Sequence, residues 1–567
     1  MFATVIPLLR TPIGVDGFDY AIPDTLSLKP GMMVRIPFRK QEHLAIVESL
    51  HATSDFANRA AEIISVREDV VFPPLFLKLL SQTAKHTFTS KPAVLKSWLR
   101  QLPKREVNQV PVYKTQLPVA DVTAVWKNTP REALAAFAKK QAKTRRVLIL
   151  TPWKHRAEEL SRALSSAPVL TSDLAGGAAF RAWHDFLSQK EGILVSTRIG
   201  AWLSPLADDV LIDEPENDDH KNDELSPRFD SRKLALWAKE VSSVRAYGLT
   251  PPLHVQEAAP VITCPLEVII RHPNGYSPIP FIQSDALNLL QEHAGPRIVI
   301  HGVRGTASRF NCRDCGWTAT CPKCDFPLSL QGAQAICRLC GFHEPAPASC
   351  KTCGGVDLGK ALPGIDRLQK KAKETMPNLL LEWRTTLSAE LEAPYPEQCL
   401  VLVTDPSFLA SAASEDIRRD ERNAIAFRRL ADQIAAKQGS LIIQTPEDSS
   451  QKWQPWLTES GYNVWRTHEF EERRAFKYPP AYRLVKAIMS GDESGADAWM
   501  KQARTLLGNT AELRGPFPVS FRTKSMKPRF ICHILPPQDM AESKLISTLT
   551  PLASSAIIDL DPIAFFR

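Results

Sequence analysis

The sequence has no run of about 18 uncharged apolar residues, the length that a membrane-spanning helix requires. It has no internal repeats and no low-complexity tracts, and these absences exclude a repeat array and a largely disordered chain. The opening segment, MFATVIPLLRTPIGVDGFDY, lacks a basic stretch followed by a long apolar run. We therefore expect a folded cytoplasmic protein without a membrane partner.

Cysteine is scarce outside one short segment. Of the 11 cysteines, eight lie between Cys312 and Cys353, while Cys264, Cys399 and Cys532 stand alone. A disulfide framework would distribute its cysteines through a small secreted domain, so this distribution excludes one and indicates metal binding. The three isolated cysteines are predicted to be packing residues.

Length and net charge restrict the class of protein only weakly. A chain of 567 residues exceeds what one hydrophobic core supports, which predicts three or four domains. The net charge of +8 suits a protein that meets polyanions, but such an excess is common in chains of this size that never bind nucleic acid. Charge alone therefore does not choose between a nucleic-acid-binding and a protein-binding function.

The first hundred residues alternate short apolar runs with turns, a pattern typical of a small β-barrel or β-sandwich. The apolar period then becomes helical from Pro73 to Leu102. A polar, proline-containing stretch from Pro103 to about Val119 indicates a linker.

The middle of the chain alternates strand-like apolar runs with helical patterns, which predicts parallel α/β sheets. Two series of strands are separated enough to form two sheets. The predicted strands are 145–152, 192–198 and 208–216 in the first series, and 297–302, 379–384, 399–405 and 440–445 in the second. The cysteine-rich segment directly follows the first strand of the second series, and the tail from about Glu459 predicts an α+β domain.

The clustered cysteines form four C-x-x-C pairs. Each pair presents two thiolates on one side of a turn, and two pairs complete a tetrahedral shell around Zn²⁺ at about 2.3 Å per bond. Spacing does not fix which pairs combine, but a nested arrangement fits best. The inner site would be Cys321, Cys324, Cys337 and Cys340, and the outer site Cys312, Cys315, Cys350 and Cys353. Two structural Zn²⁺ ions are predicted, with iron–sulfur ligation as the alternative.

Several segments together resemble the PriA family of replication restart proteins. They are the cysteine-rich segment, FDYAIPDTLSLKPGMMVRIPF, STRIGAWLSPLADDVLIDEPE followed by SPRFDSRKLA, and EERRAFKYPPAYRLVKAIMSG. The resemblance implies a multidomain α/β protein with a small N-terminal β-rich domain. Two degenerate RecA-like helicase lobes would follow, the second carrying a zinc-ribbon insertion, and then a C-terminal α+β domain.

The resemblance also implies domain boundaries. It predicts an N-terminal 3′-end DNA-binding domain at 1–103, a linker at 104–119 where the family's winged helix is absent, a first lobe at 120–295, a second lobe at 296–307 and 357–458, a double zinc module at 308–356, and a C-terminal DNA-binding domain at 459–567.

The nucleotide-binding motifs of such helicases are not matched in this chain. Phosphate-binding loops need glycines so that backbone N–H groups can wrap the phosphates, yet there is no glycine from Met32 through Ala175. The family's DEEH stands here as Asp213-Glu214-Pro215-Glu216, and FRRLADQIAAKQGS lacks arginines at the finger positions. We therefore predict that the chain is not an enzyme and that Asp213 and Glu214 are vestigial nucleotide-site acids. The alternative is an active ATP-dependent 3′–5′ DNA helicase with an atypical nucleotide site.

The resemblance implies DNA contacts near the N-terminus. Phe18, Asp19 and Tyr20 match the family's F-D-Y, in which an aromatic ring can stack on a terminal base and an acid can accept from a 3′-hydroxyl. The alternative is that Phe18 and Tyr20 are core residues of a strand. Arg39 and Lys40, where the family has glycine at the first position, are predicted phosphate contacts.

A basic cluster near the C-terminus is predicted to contact DNA phosphates without sequence preference. Its members are Arg522, Lys524, Lys527 and Arg529. A plain solvated face is the alternative for this cluster.

The predicted function is replication restart or primosome assembly by a protein that binds branched fork DNA. The implied partners are replication forks, D-loops and DNA 3′ ends, together with primosome proteins and single-stranded-DNA-binding protein, and the chain is expected to be a nucleoid-associated monomer. A zinc-stabilised scaffold that binds proteins rather than DNA is the alternative from another class.

Overall fold

The computed structural model describes residues 1–99, 102–103, 106, 121–223, 225–270, 277–279, 281–302, 310–312, 317, 319–322, 328–331, 333–337, 342–356, 358–360, 364–385, 395–405, 417–445, 453–508, 511–519 and 528–565. No helix in these ranges has both the length and the apolar character needed to cross a membrane.

An antiparallel sheet forms the N-terminal domain and confirms the predicted β-rich fold. Its strands are β1 (Phe2–Pro7), β2 (Phe18–Ala21), β3 (Met32–Phe38), β4 (Gln41–His51) and β5 (Ser65–Val71). They lie in the order β2-β1-β4-β3-β5. The β3–β4 hairpin turns through Arg39 and Lys40, whose φ values of 49° and 63° are the left-handed conformation that a two-residue hairpin loop requires.

Two helices follow the sheet and attach it to the first lobe. They are α1 (Pro74–His86) and α2 (Lys91–Trp98), and Ser90 caps α2 by accepting a hydrogen bond from the Ala93 N–H. Phe76 of α1 lies 5.7 Å from the ring of Trp202 in the first lobe, and Phe72 lies 6.1 Å from the same ring. This shared aromatic core fixes the N-terminal domain against the first parallel sheet.

The first lobe is a six-stranded parallel sheet in the order β6-β11-β10-β7-β9-β8. Its elements are β6 (Val122–Trp126), α3 (Pro130–Gln141), β7 (Arg146–Leu150), α4 (Lys154–Ala163), β8 (Val169–Leu170), α5 (Gly176–Ser188), β9 (Gly192–Ser196), a 3₁₀ helix (Arg198–Leu206), β10 (Asp209–Asp213), α6 (Ser231–Trp237) and β11 (Ser243–Gly248). The three strands predicted in this region are confirmed as β7, β9 and β10.

The second lobe is a five-stranded parallel sheet in the order β12-β21-β20-β13-β19. Its elements are β12 (Leu266–Ile270), α7 (Ser284–Glu292), β13 (Arg297–Ile300), α8 (Ile365–Thr375), β19 (Glu382–Arg384), β20 (Leu400–Val403), α9 (Arg419–Ala435) and β21 (Ser440–Thr445). All four strands predicted for this sheet are confirmed.

Two boundaries differ from the prediction. The boundary at 295 assigned β12 to the first lobe, whereas the structure pairs β12 with β21 in the second sheet. The boundary at 459 assigned α11 (Glu459–Ala475) to the C-terminal domain, yet Tyr462 of α11 is buried in the core of the second lobe with Trp456. Neither boundary is marked by local sequence, because both assignments depend on packing between distant segments.

The cysteine-rich segment is inserted between β13 and α8. Its strands are β14 (Phe310–Cys312), β15 (Leu328–Gln331), β16 (Gln334–Cys337), β17 (His343–Pro345) and β18 (Leu358–Lys360). β14 pairs with β18, and β15, β16 and β17 form a separate antiparallel sheet.

The C-terminal domain is a four-stranded antiparallel sheet in the order β23-β24-β22-β25. The elements after the second sheet are α10 (Trp453–Leu457), α11, β22 (Val485–Ser490), α12 (Glu493–Leu507), β23 (Glu512–Pro518), β24 (Arg529–Leu535), α13 (Glu542–Leu549) and β25 (Ala556–Asp559). Trp499 of α12 and Leu549 of α13 join its buried core. The predicted α+β character of the tail is thereby confirmed.

Replacing Trp202 with alanine tests the aromatic junction. The side chain is only 1% exposed and contacts three aromatic rings, so Trp202→Ala should lower the free energy of unfolding of this part of the chain by about 3–5 kcal/mol. Urea unfolding followed by circular dichroism measures the loss. Phe56→Ala, at a ring that is 64% exposed, is the control. Equal shifts in the two variants contradict the junction.

Candidate DNA-binding, metal and interlobe sites

Asp19 lies on the edge strand β2 and is held by three neighbouring side chains. The Thr4 hydroxyl donates to Asp19 Oδ1 at 2.7 Å, and the Ser54 hydroxyl donates to Oδ2 at 2.7 Å. His51 Nε2 lies 3.4 Å from the same Oδ2. Thr4 is the cross-strand partner of Asp19 in the β1–β2 ladder, so the register of the sheet brings these groups together.

The environment of Asp19 favours its charged form. Partial burial on its own would raise the pKa of this carboxyl, but hydrogen bonds from Ser54 and Thr4 and the neighbouring His51 together lower the pKa below its usual value. The group is therefore a carboxylate at neutral pH and can accept hydrogen bonds from a ligand.

Phe18 and Tyr20 lie on the opposite face of β2 from Asp19, because side chains alternate along a strand. Tyr20 is 5% exposed within the domain core, and its hydroxyl donates to the Pro37 carbonyl at 2.9 Å. Phe18 is half-buried against this core, with its ring 5.3 Å from that of Phe38. Tyr20 thus has the surroundings of a core residue, whereas Phe18 is accessible at the edge.

Arg39 and Lys40 are exposed at the tip of the β3–β4 hairpin. The Arg39 guanidinium lies 5.6 Å from the ring centroid of Phe38, which itself contacts Phe18. The hairpin therefore places two cations beside the aromatic edge of the sheet.

The basic cluster of the tail is described at one residue only. Arg529 is exposed at the start of β24, opposite Ser490 of β22. Arg522, Lys524 and Lys527 lie outside the described residues.

Three cysteines of the predicted outer metal site converge. The sulfur atoms of Cys312, Cys350 and Cys353 all lie within 4.8 Å of one another, and Cys312 Sγ is 3.5 Å from Cys353 Sγ. The Cys353 N–H donates to Cys350 Sγ at 3.5 Å, as in a metal-binding knuckle. Thiolates grouped in this way suit Zn²⁺, and Cys315, the fourth predicted ligand, lies outside the described residues.

The structure describes two of the four cysteines of the predicted inner site. Cys321 and Cys337 are 0% and 1% exposed in a small core with Leu328. The antiparallel pair β15 and β16 leads to Cys337. Cys324 and Cys340 lie outside the described residues, so the number of metal ions stays a prediction.

Metal analysis tests the two sites together. We expect about two zinc ions per chain in protein purified without chelator, and about one in Cys350→Ser, since loss of one thiolate opens its shell. Inductively coupled plasma mass spectrometry gives the ratio. Cys532→Ser, at a buried cysteine of the C-terminal core, is the matched control and should keep both ions. A ratio near one or zero in the unaltered chain contradicts the prediction.

Asp213 ends strand β10, and Glu214 follows it at the cleft between the two lobes. The Thr151 hydroxyl donates to Asp213 Oδ2 at 2.9 Å, and Arg131 Nε lies 3.4 Å from Asp213 Oδ1. Arg131 also forms an ion pair with Glu214, and Arg429 Nη2 lies 3.4 Å from Glu214 Oε2. Glu214 therefore joins α3 of the first lobe to α9 of the second.

The surrounding cleft contains further contacts between the lobes. Asp432 of α9 accepts a hydrogen bond from the Thr129 N–H at 3.3 Å, directly before α3 of the first lobe. Burial raises the pKa of Asp432 to about 6. Burial also raises the pKa of Glu216, which accepts from the Leu249 N–H at 3.2 Å.

Sequence reasoning missed Arg131, Arg429, Asp432 and His51. A signal for Arg131 was present, since it directly follows Pro130, and proline is frequent at the first position of a helix. Nothing local indicates that Arg429 or His51 faces an acid, because those pairs depend on contacts between distant segments.

Glu214→Ala tests the contact between the lobes. The Glu214 side chain is 5% exposed and that of Arg429 is 12% exposed, so removing the carboxylate takes an ion-pair partner away from both guanidinium groups. We expect a loss of about 3 kcal/mol in the free energy of unfolding, measured by urea titration. Glu158→Ala, which breaks an exposed i,i+4 pair with Lys154, should leave the urea midpoint unchanged. A Glu214→Ala midpoint equal to that of the unaltered chain contradicts the interlobe contact.

Comparisons with known proteins agree with this arrangement. Residues 8–100 match the family model described as 3′DNA-binding domain (3′BD). The replication restart protein PriA of Bacillus subtilis is 23% identical over 418 residues, which cover 64% of this chain and 51% of the relative. PriA of Haemophilus influenzae is 22% identical over 440 residues, covering 67% and 59% respectively. PriA of Synechocystis is 22% identical over 509 residues, covering 74% and 59%.

A solved structure of the helicase MrfA bound to DNA also matches. It covers 61% of this chain and 47% of its own at 12% identity, with a TM-score of 0.28 that is too low to support a comparison of the folds.

Residues 8–100 are thus similar to a 3′DNA-binding domain, and two parallel-sheet lobes follow them. Together with the curated relatives, this match supports a PriA-like replication restart protein at modest identity, in agreement with the predicted resemblance. The chain spans about half to three-fifths of the length of these relatives.

The prediction that the chain is not an enzyme is wrong. The matched relatives are replication restart proteins, and the similarity to them overturns a prediction that rested only on motifs missing from this chain. The prediction relied on a loop without glycine, and a missing motif is weaker information than similarity that extends over most of the chain.

Proposed function

We propose that this chain acts in replication restart by binding branched DNA at abandoned forks, with the N-terminal domain taking the DNA 3′ end. The observation that carries the proposal is the match of residues 8–100 to a 3′DNA-binding domain, in which Asp19 is a partly exposed carboxylate. The family match names the DNA feature, and the carboxylate supplies an acceptor suited to a terminal hydroxyl.

The groups around this site fit a DNA end. Phe18 can stack on a base, which is worth about 1–3 kcal/mol per base in single-stranded complexes. Arg39 and Lys40 would contact backbone phosphates from the hairpin tip, and Tyr20 supports the strand from within the core. Arg529 and its neighbours Arg522, Lys524 and Lys527 would add phosphate contacts from the C-terminal domain.

The remaining parts of the proposal concern metal and partners. Two Zn²⁺ ions in the nested arrangement would hold the cysteine-rich insertion in shape as a binding surface. The chain would act as a nucleoid-associated monomer in the cytoplasm, on forks and D-loops. It would dock primosome proteins and single-stranded-DNA-binding protein there.

Fluorescence anisotropy on labelled forks tests the proposal. Forks with a free 3′ end on the leading strand should bind about tenfold more tightly than forks without one, and Asp19→Asn should remove most of that difference. Asp55→Asn, at a nearby exposed acid, should retain it. Binding should weaken as salt rises, since phosphate contacts release counterions.

Equal, weak binding to forks and plain duplex contradicts fork recognition. Binding that is absent or independent of salt would instead favour a zinc-stabilised scaffold for proteins.

ATP-dependent helicase activity is a second candidate function. It is favoured by the acid pair Asp213 and Glu214 at the carboxyl end of β10, where a parallel sheet presents ligand-binding groups. DNA-stimulated ATP hydrolysis that Asp213→Asn abolishes would support it. An absence of turnover on fork DNA would contradict it and leave the binding proposal unaffected.

A further inference from the structure

The acceptor positions of Asp19 are nearly all occupied. An ionised carboxylate offers about four lone-pair positions. Ser54 and His51 both approach Oδ2, and Thr4 donates to Oδ1, so one position on Oδ1 remains among the contacts of the described residues. The Asp19 side chain is 21% exposed, so part of it is accessible to a ligand.

His51 owes its position to the register of the sheet. It ends β4 and stands directly opposite Phe2 in the β1–β4 ladder, while Phe2 also stands opposite Ala21 of β2. The rings of Phe2 and His51 are stacked, with centroids 6.3 Å apart and an interplanar angle of 16°. The His51 imidazole therefore packs against the Phe2 ring beside Asp19, and the His51 side chain is 29% exposed.

We propose that His51 is a positioning residue for a DNA 3′ end. With Thr4 and Ser54 it fixes the Asp19 carboxylate so that one acceptor position faces the ligand, and that position selects a terminal 3′-hydroxyl. The inference rests on the proposed function, in which this domain takes the 3′ end. It adds the residue that makes the site selective for the chemistry of that end.

Selectivity for a 3′-hydroxyl follows from the number of open acceptor positions on Asp19 and from the charge of the DNA end. A 3′-hydroxyl donates one hydrogen bond to the open position. A 3′-deoxy end has no donor and leaves the remaining acceptor position of the partly buried carboxylate unfilled, and a 3′-phosphate brings negative charge against it. Without His51 the carboxylate can rotate away from this orientation, and the preference for a hydroxyl should fall even where overall DNA affinity does not.

The experiment uses the full chain and three labelled oligonucleotides that differ only in a 3′-hydroxyl, 3′-deoxy or 3′-phosphate end. The readout is the ratio of dissociation constants among the three ends. In the unaltered chain the hydroxyl end should bind about tenfold more tightly than the deoxy end. His51→Ala should reduce the ratio to about threefold or less, with affinity for end-blocked duplex unchanged.

Two further variants separate positioning from folding. His51→Gln keeps an N–H donor and should restore part of the preference. Ser54→Ala removes the other donor to Oδ2 and should lower the ratio even if His51→Ala fails to fold. His468→Gln, at an exposed histidine of α11, is the matched control and should leave the ratio unchanged.

The outcomes distinguish the two proposals. If the unaltered chain prefers the hydroxyl end and both His51→Ala and Ser54→Ala keep that preference, the role of His51 is overturned while 3′-end binding stands. If the unaltered chain shows no preference among the three ends, recognition of the 3′ end fails, and the role of His51 fails with it.

Discussion

The carboxylate of Glu214, shared between Arg131 and Arg429, ties the two parallel sheets together at their cleft. A second ionic contact lies close by, where Arg418 and Arg422 of the second lobe both reach Asp218 of the first at 2.9 Å. Charges buried in this way need partners on both sides, so each lobe supplies what the other lacks. Opposite charges therefore determine the relative placement of the two lobes as much as apolar packing does. This placement also sets the positions of the domains attached to the lobes.

Much of the fold could be predicted from the sequence because parallel strands are buried on both faces and appear as short apolar runs. Strands such as β7 (RVLIL) and β20 (LVLV) have this form and stand out without further information. β6 was missed because VTAVW is half-exposed at the edge of its sheet and follows the polar linker without a break. Strand β12 was assigned to the first lobe because only its pairing with β21 shows the sheet to which it belongs.

The candidate sites, like the strands, differ in how far the local sequence predicts them. Metal-binding cysteine pairs can be recognised from their spacing, since a knuckle is a local structure. Three of the predicted outer ligands do converge in the structure. The surroundings of Asp19 are not local, because Thr4, His51 and Ser54 come from different segments. Likewise, the left-handed backbone of Arg39 and Lys40 is imposed by the two-residue hairpin and not by the types of these residues.

The cysteine-rich insertion leaves and rejoins the second lobe through β14 and β18, which pair with each other side by side. The parent sheet therefore meets the whole insertion as if it were a single closed loop between β13 and α8. With this topology, the insertion and the second lobe can change independently of each other. A change in the length or surface of the insertion therefore does not require a change in the register of β13 against β19.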